Sequence, residues 1–311
     1  MNSLTYTLII LPLNQQRVKQ KLTKSKDDII LKIPIIQISP KQRNLMKNRK
    51  LFAIFGNPVT HSRSPLMHNH VFKKLNYNAC YTRIHLEDGA QLKQTFFAQK
   101  LSGANVTVPH KEAAFEACDE VRGFAQKMGV VNTLVNEDGR LIGYNTDADG
   151  FLFAISPFEK IKNILIIGAG GTARALSMKL QDEGMNVSVL NRSKPNLVHF
   201  EKMGLRTYTW DSFTPQEYDL VVNTTSAGLS DENYPAPVEL LTPLLEQSAY
   251  AADAIYGKVT PFLRLCDELQ VTYKDGADML LGQGVLANHY FCEKTFSLEQ
   301  IQAYMRESFN F

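Results

Sequence analysis

Two ionisable side chains, Lys111 and Asp147, stand where apolar stretches in the first half of the chain end. Lys111 follows the strand-like run Ala104–Val108, and Asp147 follows the run Leu141–Tyr144. We expect these runs to be neighbouring strands, whose carboxyl ends can bring the two side chains face to face. A lysine beside a carboxylate in a cleft is suited to move a proton to or from a reacting oxygen. A structural ion pair is the alternative interpretation.

Further polar segments accompany this pair. Ser62 and Ser64 flank the start of a predicted helix, at which Ser64 can serve as the N-cap and Pro65 as the first helical residue. Asn132-Thr133 lies within an otherwise apolar stretch, and Asn145-Thr146 ends a predicted strand. Neither a core nor a solvated surface explains these hydroxyls and amides together. They indicate contact with a hydroxylated ligand.

A glycine-rich turn follows the apolar run Asn163–Ile167 and opens a predicted helix that ends near Gly184. The turn consists of Gly168, Ala169, Gly170, Gly171, Thr172 and Ala173. Glycines at such a turn allow the backbone to approach a pyrophosphate, which then lies at the helix N-terminus. A strand, a glycine turn and a helix in this order predict a dinucleotide site, with a purely structural turn as the alternative.

The segment Asn191-Arg192-Ser193-Lys194 indicates which dinucleotide binds. It begins about 20 residues after the turn, where NAD-binding proteins offer an acidic residue to the ribose hydroxyls. A carboxylate would repel a 2′-phosphate, whereas Arg192, Ser193 and Lys194 can hold one through charge-assisted hydrogen bonds. The sequence therefore favours NADP over NAD.

Thr224 lies in a small polar loop, Asn223-Thr224-Thr225, directly after the predicted strand Leu220–Val222. Loops at the carboxyl ends of parallel strands face the ligand crevice of open α/β sheets. We expect this loop to border the cofactor; a plain surface loop is the alternative.

Apolar runs and amphipathic helices alternate from Leu51 onward, which predicts an α/β fold. In the second half, continuous apolar runs are typical of a doubly wound parallel sheet covered on both faces. The predicted strands there are Ile164–Ile167, Val187–Leu190, Leu220–Val222, Ala251–Ile255 and Val271–Tyr273.

Two domains follow from this pattern, with a hinge near residues 148–160. We expect an N-terminal substrate-binding catalytic domain over residues 47–150, completed by about residues 276–311. A Rossmann-type NADP-binding domain is expected over residues 151–275. The last helices, Met279–Tyr290 and Leu298–Ser308, are expected to pack back on the first domain.

The composition excludes several classes of protein. A chain of 311 residues with 44% hydrophobic and 21% charged residues is globular and too long for one core. No apolar run approaches the roughly 20 residues of a membrane span, and the four cysteines lack the spacing of a zinc site or a disulfide scaffold. We expect a cytoplasmic protein with reduced thiols, no metal and no membrane partner.

The net charge of +3 is unevenly distributed. Residues 1–50 carry 11 Lys/Arg and 2 Asp/Glu, a charge of +9, whereas the other 261 residues carry 23 and 29, a charge of −6. The fold therefore offers no general basic surface, and no nucleic-acid partner is expected. Residues 1–46 are interpreted as a poorly ordered basic extension; a polyanion-binding arm is the alternative.

The motifs together resemble the shikimate dehydrogenase family. They are His61-Ser62-Arg63-Ser64-Pro65, Asn105-Val106-Thr107-x-Pro109-x-Lys111, Gly129-Val130-Val131-Asn132-Thr133, Gly143-x-Asn145-Thr146-Asp147, the glycine turn, Asn191-Arg192-Ser193, Asn223-Thr224-Thr225 and Gly276-Ala277-Asp278-Met279-Leu280-x-x-Gln283. They occur in order over about residues 47–308. Asn196 stands where the family usually has a second basic residue, which Lys194 can replace.

The resemblance implies reversible NADPH-dependent reduction of 3-dehydroshikimate to shikimate, in chorismate and aromatic amino-acid biosynthesis. It implies that Lys111 and Asp147 form the catalytic pair. It also implies a set of substrate ligands: Ser62, Ser64, Thr107, Asn132, Asn145, Tyr256 and Gln283. A small molecule is then the expected partner, and a homodimer is compatible with the sequence.

Two other functions remain open at this point. One is a quinate/shikimate dehydrogenase of broader substrate and cofactor use; Ser62, Ser64 and the absence of an acid beside Arg192 favour the shikimate-selective form. The other is a non-catalytic NADPH-binding regulator, which would be expected to lack Lys111 or Asp147.

Overall fold

A computed structural model describes residues 49–310, which form two six-stranded sheets flanked by helices. This confirms the α/β class. The extension predicted over residues 1–46 lies outside the described residues.

The first sheet is mixed and lies in the part of the chain before residue 145. In chain order the elements are β1 (Lys50–Gly56), α1 (Ser64–Lys74), β2 (Ala79–His85), α2 (Leu92–Ala98), β3 (Gly103–Val106), α3 (Lys111–Ala117), β4 (Glu120–Val121), α4 (Ala125–Met128), β5 (Thr133–Glu137), β6 (Arg140–Tyr144) and α5 (Asp147–Ile155). The strand order is β2-β1-β3-β5-β6-β4, with β5 antiparallel to β3 and β6. Strands β5 and β6 form a hairpin, and its turn residues Asp138 and Gly139 both have positive φ, as a tight hairpin turn requires.

The second sheet is entirely parallel. Its elements and the C-terminal helices are β7 (Asn163–Ile167), α6 (Gly171–Asp182), β8 (Asn186–Leu190), α7 (Val198–Lys202), β9 (Arg206–Tyr208), β10 (Tyr218–Asn223), α8 (Val238–Glu246), β11 (Ser248–Asp253), α9 (Pro261–Glu268), β12 (Thr272–Lys274), α10 (Gly276–Phe291) and α11 (Leu298–Glu307). The strand order β12-β11-β10-β7-β8-β9 is that of a doubly wound sheet, as predicted.

Alternate residues of the central strand β7 lie in separate cores on the two faces of this sheet. Ile164 and Ile166 belong to one apolar cluster, and Leu165 and Ile167 belong to another. Successive side chains of a strand point to opposite faces. A continuous apolar run is therefore stable only where helices cover both faces.

The C-terminal helices cover one face of the first sheet. The ring of Phe291 in α10 lies 4.7 Å from the ring of Phe52 in β1, centroid to centroid. Met305 of α11 is buried against Met67 of α1 in a neighbouring cluster. These contacts confirm that the end of the chain packs back on the first sheet.

Helix α5 occupies the segment in which the sequence suggests a hinge. It packs on α10 at Gly150 and Gly282, where a Cβ added to Gly282 would lie 2.6 Å from the Gly150 carbonyl oxygen. Its Phe151 and Ile155 are buried in a core cluster of the second sheet. The connection between the two sheets therefore begins with a helix that is packed on both sides.

Two local expectations are wrong, and two short strands have no signal in the sequence. Helix α1 has Arg63 as its N-cap residue, with no side-chain cap, so Ser64 is already helical. Strand β11 ends at Asp253 rather than Ile255, because the Ile255 N–H donates to the Asp253 Oδ1 (2.9 Å) instead of to a neighbouring strand. The short edge strands β4 and β9 lack the apolar pattern that would predict them.

Candidate active site

Lys111 and Asp147 form an ion pair, with the Lys111 Nζ 2.5 Å from the Asp147 Oδ2. Each is the first residue of a helix, Lys111 of α3 and Asp147 of α5. The sequence suggests that the preceding strands β3 and β6 are neighbours. They are not, because β5 lies between them. Since β5 is antiparallel to both, β3 and β6 run the same way and their carboxyl ends share one edge of the sheet.

The pair is partly buried, with 31% of the Lys111 side chain and 22% of the Asp147 side chain exposed. Partial burial strengthens the attraction between the two charges while leaving a ligand access to them. Asp147 also lies at the N-terminus of α5, next to the positive end of the helix dipole.

The Asn132 side chain holds the residue that precedes Asp147. Its Oδ1 accepts the Thr146 N–H at 2.8 Å, and its Nδ2 donates to the Thr146 Oγ1 at 3.1 Å. Asn145 holds the same segment, since its Oδ1 accepts the Asp147 N–H at 3.0 Å. Two amides therefore fix the start of α5 and the direction of the Asp147 carboxylate.

A second layer of hydrogen bonds supports Asn132. The Tyr81 hydroxyl donates to the Asn105 Oδ1 at 2.7 Å, and the Asn105 Nδ2 donates to the Thr133 Oγ1 at 3.1 Å. The Thr133 hydroxyl donates to the Asn132 Oδ1 at 2.9 Å. Burial raises the pKa of Tyr81 well above its ordinary value, so its hydroxyl stays protonated and remains a donor.

The ion pair opens into a pocket of about 230 Å³. Of the residues predicted to act on a substrate, those that line it are Ser62, Ser64, Thr107, Lys111, Asn132, Asp147, Tyr256 and Gln283. Asn145 is buried behind Asp147 and does not line the pocket. The structure thus gathers eight of the nine side chains at one place.

Two serine hydroxyls lie side by side at the rim of the pocket. The Ser62 Oγ is 3.3 Å from the Ser64 Oγ and also accepts the Ser64 N–H at 3.3 Å. Arg83 fixes this turn by donating from Nη2 to the Ser62 carbonyl oxygen at 2.5 Å. Two adjacent hydroxyls suit a carboxylate ligand, which has two acceptor oxygens.

The glycine turn has room for a ligand on the side where helix α6 begins. A Cβ at Gly170 or Gly171 would meet nothing within 4 Å, and the N-cap residue Gly170 provides no side-chain cap. The first N–H groups of α6 are therefore available to a phosphate. Gly168 has a φ of +110°, and a Cβ there would lie 2.8 Å from the Thr224 Oγ1, so only glycine fits.

A cleft of about 670 Å³ extends along this edge of the second sheet. Among the predicted cofactor residues, Gly168, Asn191 and Arg192 line it. Arg192 and Lys194 are exposed and form no ion pair with residues of the described range, which leaves both charges available. These groups fit a dinucleotide that carries a 2′-phosphate.

Three other predicted cofactor residues have structural contacts. Ala173 is fully buried where α6 packs on the sheet. The Thr224 hydroxyl donates to the Ile167 carbonyl oxygen at 2.8 Å. Ser193 accepts a hydrogen bond from the Asn191 Nδ2 on its carbonyl oxygen at 2.9 Å, which shapes the turn around Arg192.

Comparison with known proteins assigns a family. A family model described as the shikimate dehydrogenase substrate binding domain matches residues 54–134. The NADP(+) shikimate dehydrogenase of Helicobacter hepaticus is 46% identical over 263 residues, which cover 82% of this chain and 98% of that protein. The chain belongs to the shikimate dehydrogenase family.

Two further members match a similar share of the chain at lower identity. The shikimate dehydrogenase (NADP(+)) of Helicobacter pylori strain P12 is 41% identical, over 84% of this chain and 99% of that protein. The solved structure of shikimate 5-dehydrogenase from Thermus thermophilus, in complex with NADP(H) and shikimate, has a TM-score of 0.73 and 34% identity. It covers 83% of this chain and 99% of that chain, so the shared fold includes both sheets.

A buried carboxylate of this shikimate dehydrogenase family member, Asp253, ends β11 directly before the pocket residue Ala254. Its Oδ2 accepts from the Thr260 hydroxyl at 2.7 Å, and its Oδ1 accepts from the Asn223 Nδ2 at 3.1 Å. Burial raises the pKa of Asp253 despite these hydrogen bonds. The residue fixes the start of the loop that carries Tyr256.

Sequence reasoning misses Tyr81 and Asp253 as supports of the site. Tyr81 lies in an ordinary strand pattern, so no local signal distinguishes it. Asp253 has a weak signal, since an acidic residue at the carboxyl end of an apolar parallel strand lies at the edge of the sheet where ligands bind.

Other kinds of site are absent from the described range. No group of three His, Cys, Asp or Glu residues between residues 49 and 310 is placed to hold a metal ion. All four cysteines are free, and burial raises the pKa of Cys118, Cys266 and Cys292 to about 12, so these thiols are protonated and inert. Among the helices that the structure describes, none is both long and apolar enough to cross a membrane.

Proposed function

We propose that this protein catalyses the reversible NADPH-dependent reduction of 3-dehydroshikimate to shikimate. The observation that carries the proposal is the Lys111–Asp147 ion pair, with its 2.5 Å separation, in a pocket of hydroxyls and amides. The relatives at 41–46% identity are named NADP(+) shikimate dehydrogenases, which supports the same reaction.

The pocket suits a small, polar, single-ring substrate. Its volume of about 230 Å³ is below the roughly 300–1,000 Å³ of sites for drug-sized ligands. Ser62 and Ser64 are assigned to the substrate carboxylate. Thr107 and Gln283 are assigned to the ring hydroxyls.

Lys111 moves the proton of the reaction. In the reduction, the Lys111 ammonium donates a proton to the carbonyl oxygen of the substrate as the carbonyl carbon accepts a hydride, and a secondary alcohol results. The Asp147 carboxylate holds the ammonium in place by its hydrogen bond and carries the compensating charge. In the oxidation, the neutral Lys111 amine accepts the hydroxyl proton.

The bound nicotinamide supplies or accepts the hydride, which no side chain of the protein can do. The chain holds this cofactor: the first N–H groups of α6 bind the pyrophosphate, and Arg192 with Lys194 binds the 2′-phosphate. Holding both reactants in one cleft removes much of the entropic cost of a reaction between two molecules.

Two other functions make different predictions from the same site. A quinate/shikimate dehydrogenase would also turn over quinate, which carries an additional ring hydroxyl. A non-catalytic regulator would bind NADPH without turnover. The intact Lys111–Asp147 pair favours an enzyme over the regulator.

A spectrophotometric assay tests the proposal. Shikimate or quinate is offered with NADP or NAD, and the absorbance of the reduced nicotinamide is followed. We expect turnover chiefly with shikimate and NADP. Comparable rates with quinate or NAD would assign the broader dehydrogenase, and binding of NADPH without any turnover would assign the regulator.

We also propose that the protein is located in the cytoplasm and forms a homodimer. The location is tested in the native organism, and the dimer is tested with the purified chain. Fractionation should place the activity in the cytoplasmic extract. Light scattering of the purified protein should give about twice the 35.1 kDa mass of one chain.

A further inference from the structure

Trp210 lies on the wall of the nucleotide cleft and is the only tryptophan of the chain. It follows the edge strand β9 and begins a short 3₁₀ turn over Trp210–Ser212. No sequence motif of the two sites includes it. It nevertheless lines the same cleft as Arg192.

The register of β8 and β9 brings Trp210 and Arg192 to the same end of the two strands, where both line the cleft. Leu190 pairs with Tyr208 in this parallel ladder, and the Asn191 N–H continues it by donating to the Tyr208 carbonyl oxygen at 3.0 Å. Arg192 and Trp210 each stand two residues beyond a member of this pair. Because neighbouring strands lie about 4.8 Å apart, both residues emerge at the same edge of the sheet.

A capping box and an aromatic contact fix the turn that carries Trp210. The Thr209 N–H donates to the Ser212 Oγ at 2.9 Å, in a capping box. The Tyr208 ring packs edge-on against the Phe213 ring, with 5.3 Å between the centroids. The backbone at Trp210 is therefore held firmly at the cleft.

The indole exposes carbon surface to the cleft. Its Nε1 is buried and has no hydrogen-bond partner among the described residues. The ring is partly buried against the core cluster of the second sheet that contains Phe213 and Leu241. The part of Trp210 that lines the cleft is consequently apolar, unlike the charged guanidinium of Arg192 beside it.

We propose that Trp210 forms the apolar wall of the adenosine end of the cleft and contacts the adenine base of bound NADP. This inference rests on the proposed function. A flat carbon surface suits a base, whereas the adjacent Arg192 suits the 2′-phosphate on the same nucleoside. The pocket around Lys111 shares no lining residue with this cleft, so the nicotinamide end is assigned elsewhere.

Tryptophan fluorescence tests the contact directly, because all indole emission comes from this one residue. With excitation selective for indole, the full chain is titrated with adenosine 2′,5′-bisphosphate and, separately, with nicotinamide mononucleotide. Neither fragment absorbs where tryptophan emits, so a change reports the surroundings of the ring. We expect saturable quenching by the adenosine fragment and none by the nicotinamide fragment.

Two variants measure the contribution of the ring to binding, by calorimetry with the adenosine fragment. Trp210→Leu removes the aromatic surface and should weaken binding at least about fivefold, since a base–aromatic contact contributes about 1–3 kcal/mol. Trp210→Phe keeps an aromatic ring and should stay within about threefold of the wild type. Circular dichroism confirms that both variants are folded.

The outcomes separate this inference from the proposed function. Turnover of shikimate with NADP, together with unchanged Trp210 emission and unchanged binding by Trp210→Leu, would overturn the role of Trp210 and leave the activity intact. A wild-type protein that neither binds the adenosine fragment nor turns over shikimate would overturn both. Quenching by the adenosine fragment with weakened binding by Trp210→Leu supports the contact.

Discussion

The backbones of Gly150 and Gly282 touch where helix α5 meets helix α10, and neither position has room for a side chain. A Cβ at Gly282 would lie 2.6 Å from the Gly150 carbonyl oxygen, and a Cβ at Gly150 would lie 2.5 Å from the Gln283 backbone nitrogen. Asp147 begins α5, and Gln283 follows Gly282. The contact therefore sets the position of the ion pair relative to the opposite wall of the pocket.

Replacing Gly282 by alanine should separate these helices. We expect Gly282→Ala to lower the free energy of unfolding by about 1–3 kcal/mol, as overpacked sites do, and to raise the KM for shikimate. Urea denaturation and steady-state kinetics measure the two effects.

Gly284→Ala is the matched control on the same helix. A Cβ there would meet the Met305 Sδ at 2.8 Å and the Met67 Cε at 2.9 Å, which are ends of flexible side chains that can move. Gly284→Ala should lower the free energy of unfolding clearly less than Gly282→Ala does. Equal losses in the two variants would contradict the role of the Gly150–Gly282 contact.

Removing the Lys111 ammonium should abolish most of the turnover. We expect Lys111→Ala to reduce kcat by about 10²–10⁴-fold, the usual contribution of a general acid, with NADPH affinity unchanged. Lys93→Ala is the control, because Lys93 forms a similar ion pair with Asp119 (2.6 Å) outside the pocket. Full activity in Lys111→Ala would exclude the proton-transfer role.

Arg192 should determine the preference for NADP. Loss of a charge-assisted hydrogen bond costs about 1.5–3 kcal/mol, so Arg192→Ala should raise the Kd for NADP at least about tenfold and leave the Kd for NAD nearly unchanged. Calorimetric titration gives both constants. Arg206→Ala, at an exposed arginine of the adjacent strand β9 outside the cleft, should change neither; an equal effect there would mean that net charge alone is responsible.

The buried His68 should make the fold sensitive to acid. Burial lowers its pKa from 6.5 to about 3, and the neutral ring accepts from the Asn288 Nδ2 at 3.0 Å. The unfolded chain therefore binds one more proton than the folded chain between these two values. Stability attributable to His68 is complete above pH 6.5 and falls as the pH decreases, by about 1.4 kcal/mol per unit.

The variant His68→Gln isolates this contribution from that of the carboxylates. Between pH 7 and pH 5 the wild type should lose about 2 kcal/mol more unfolding free energy than His68→Gln. Gln is neutral throughout and offers an amide oxygen to Asn288. Parallel pH dependences in urea denaturation would show that burial does not lower the pKa of His68.

Much of the site follows from local chemistry that the sequence carries. Continuous apolar runs such as Ile164–Ile167 predict buried parallel strands, and the glycine turn with Arg192 predicts a phosphorylated dinucleotide. These features are readable because each depends on residues close together in the chain. The proximity of Lys111 and Asp147 was also predictable from their places at strand ends.

The strand order decided what local patterns left open. The sequence suggests that the strands before Lys111 and Asp147 are neighbours, yet β5 lies between them, and the pair still meets because antiparallel β5 restores a common direction. Likewise, Asn132 lines the pocket as the sequence predicts, but only the structure shows that both polar atoms of its amide also hold Thr146.

The types of residue, the periodicity of the elements and the chemistry of the two sites can therefore be read along the chain. The packing of the whole chain places Trp210 and Arg192 on one cleft, lets Tyr81 support Asn132 through Asn105 and Thr133, and brings Gly150 against Gly282. Each of these contacts joins segments separated by many residues. Such contacts depend on how sheets and helices pack as a whole, and no local spacing records them.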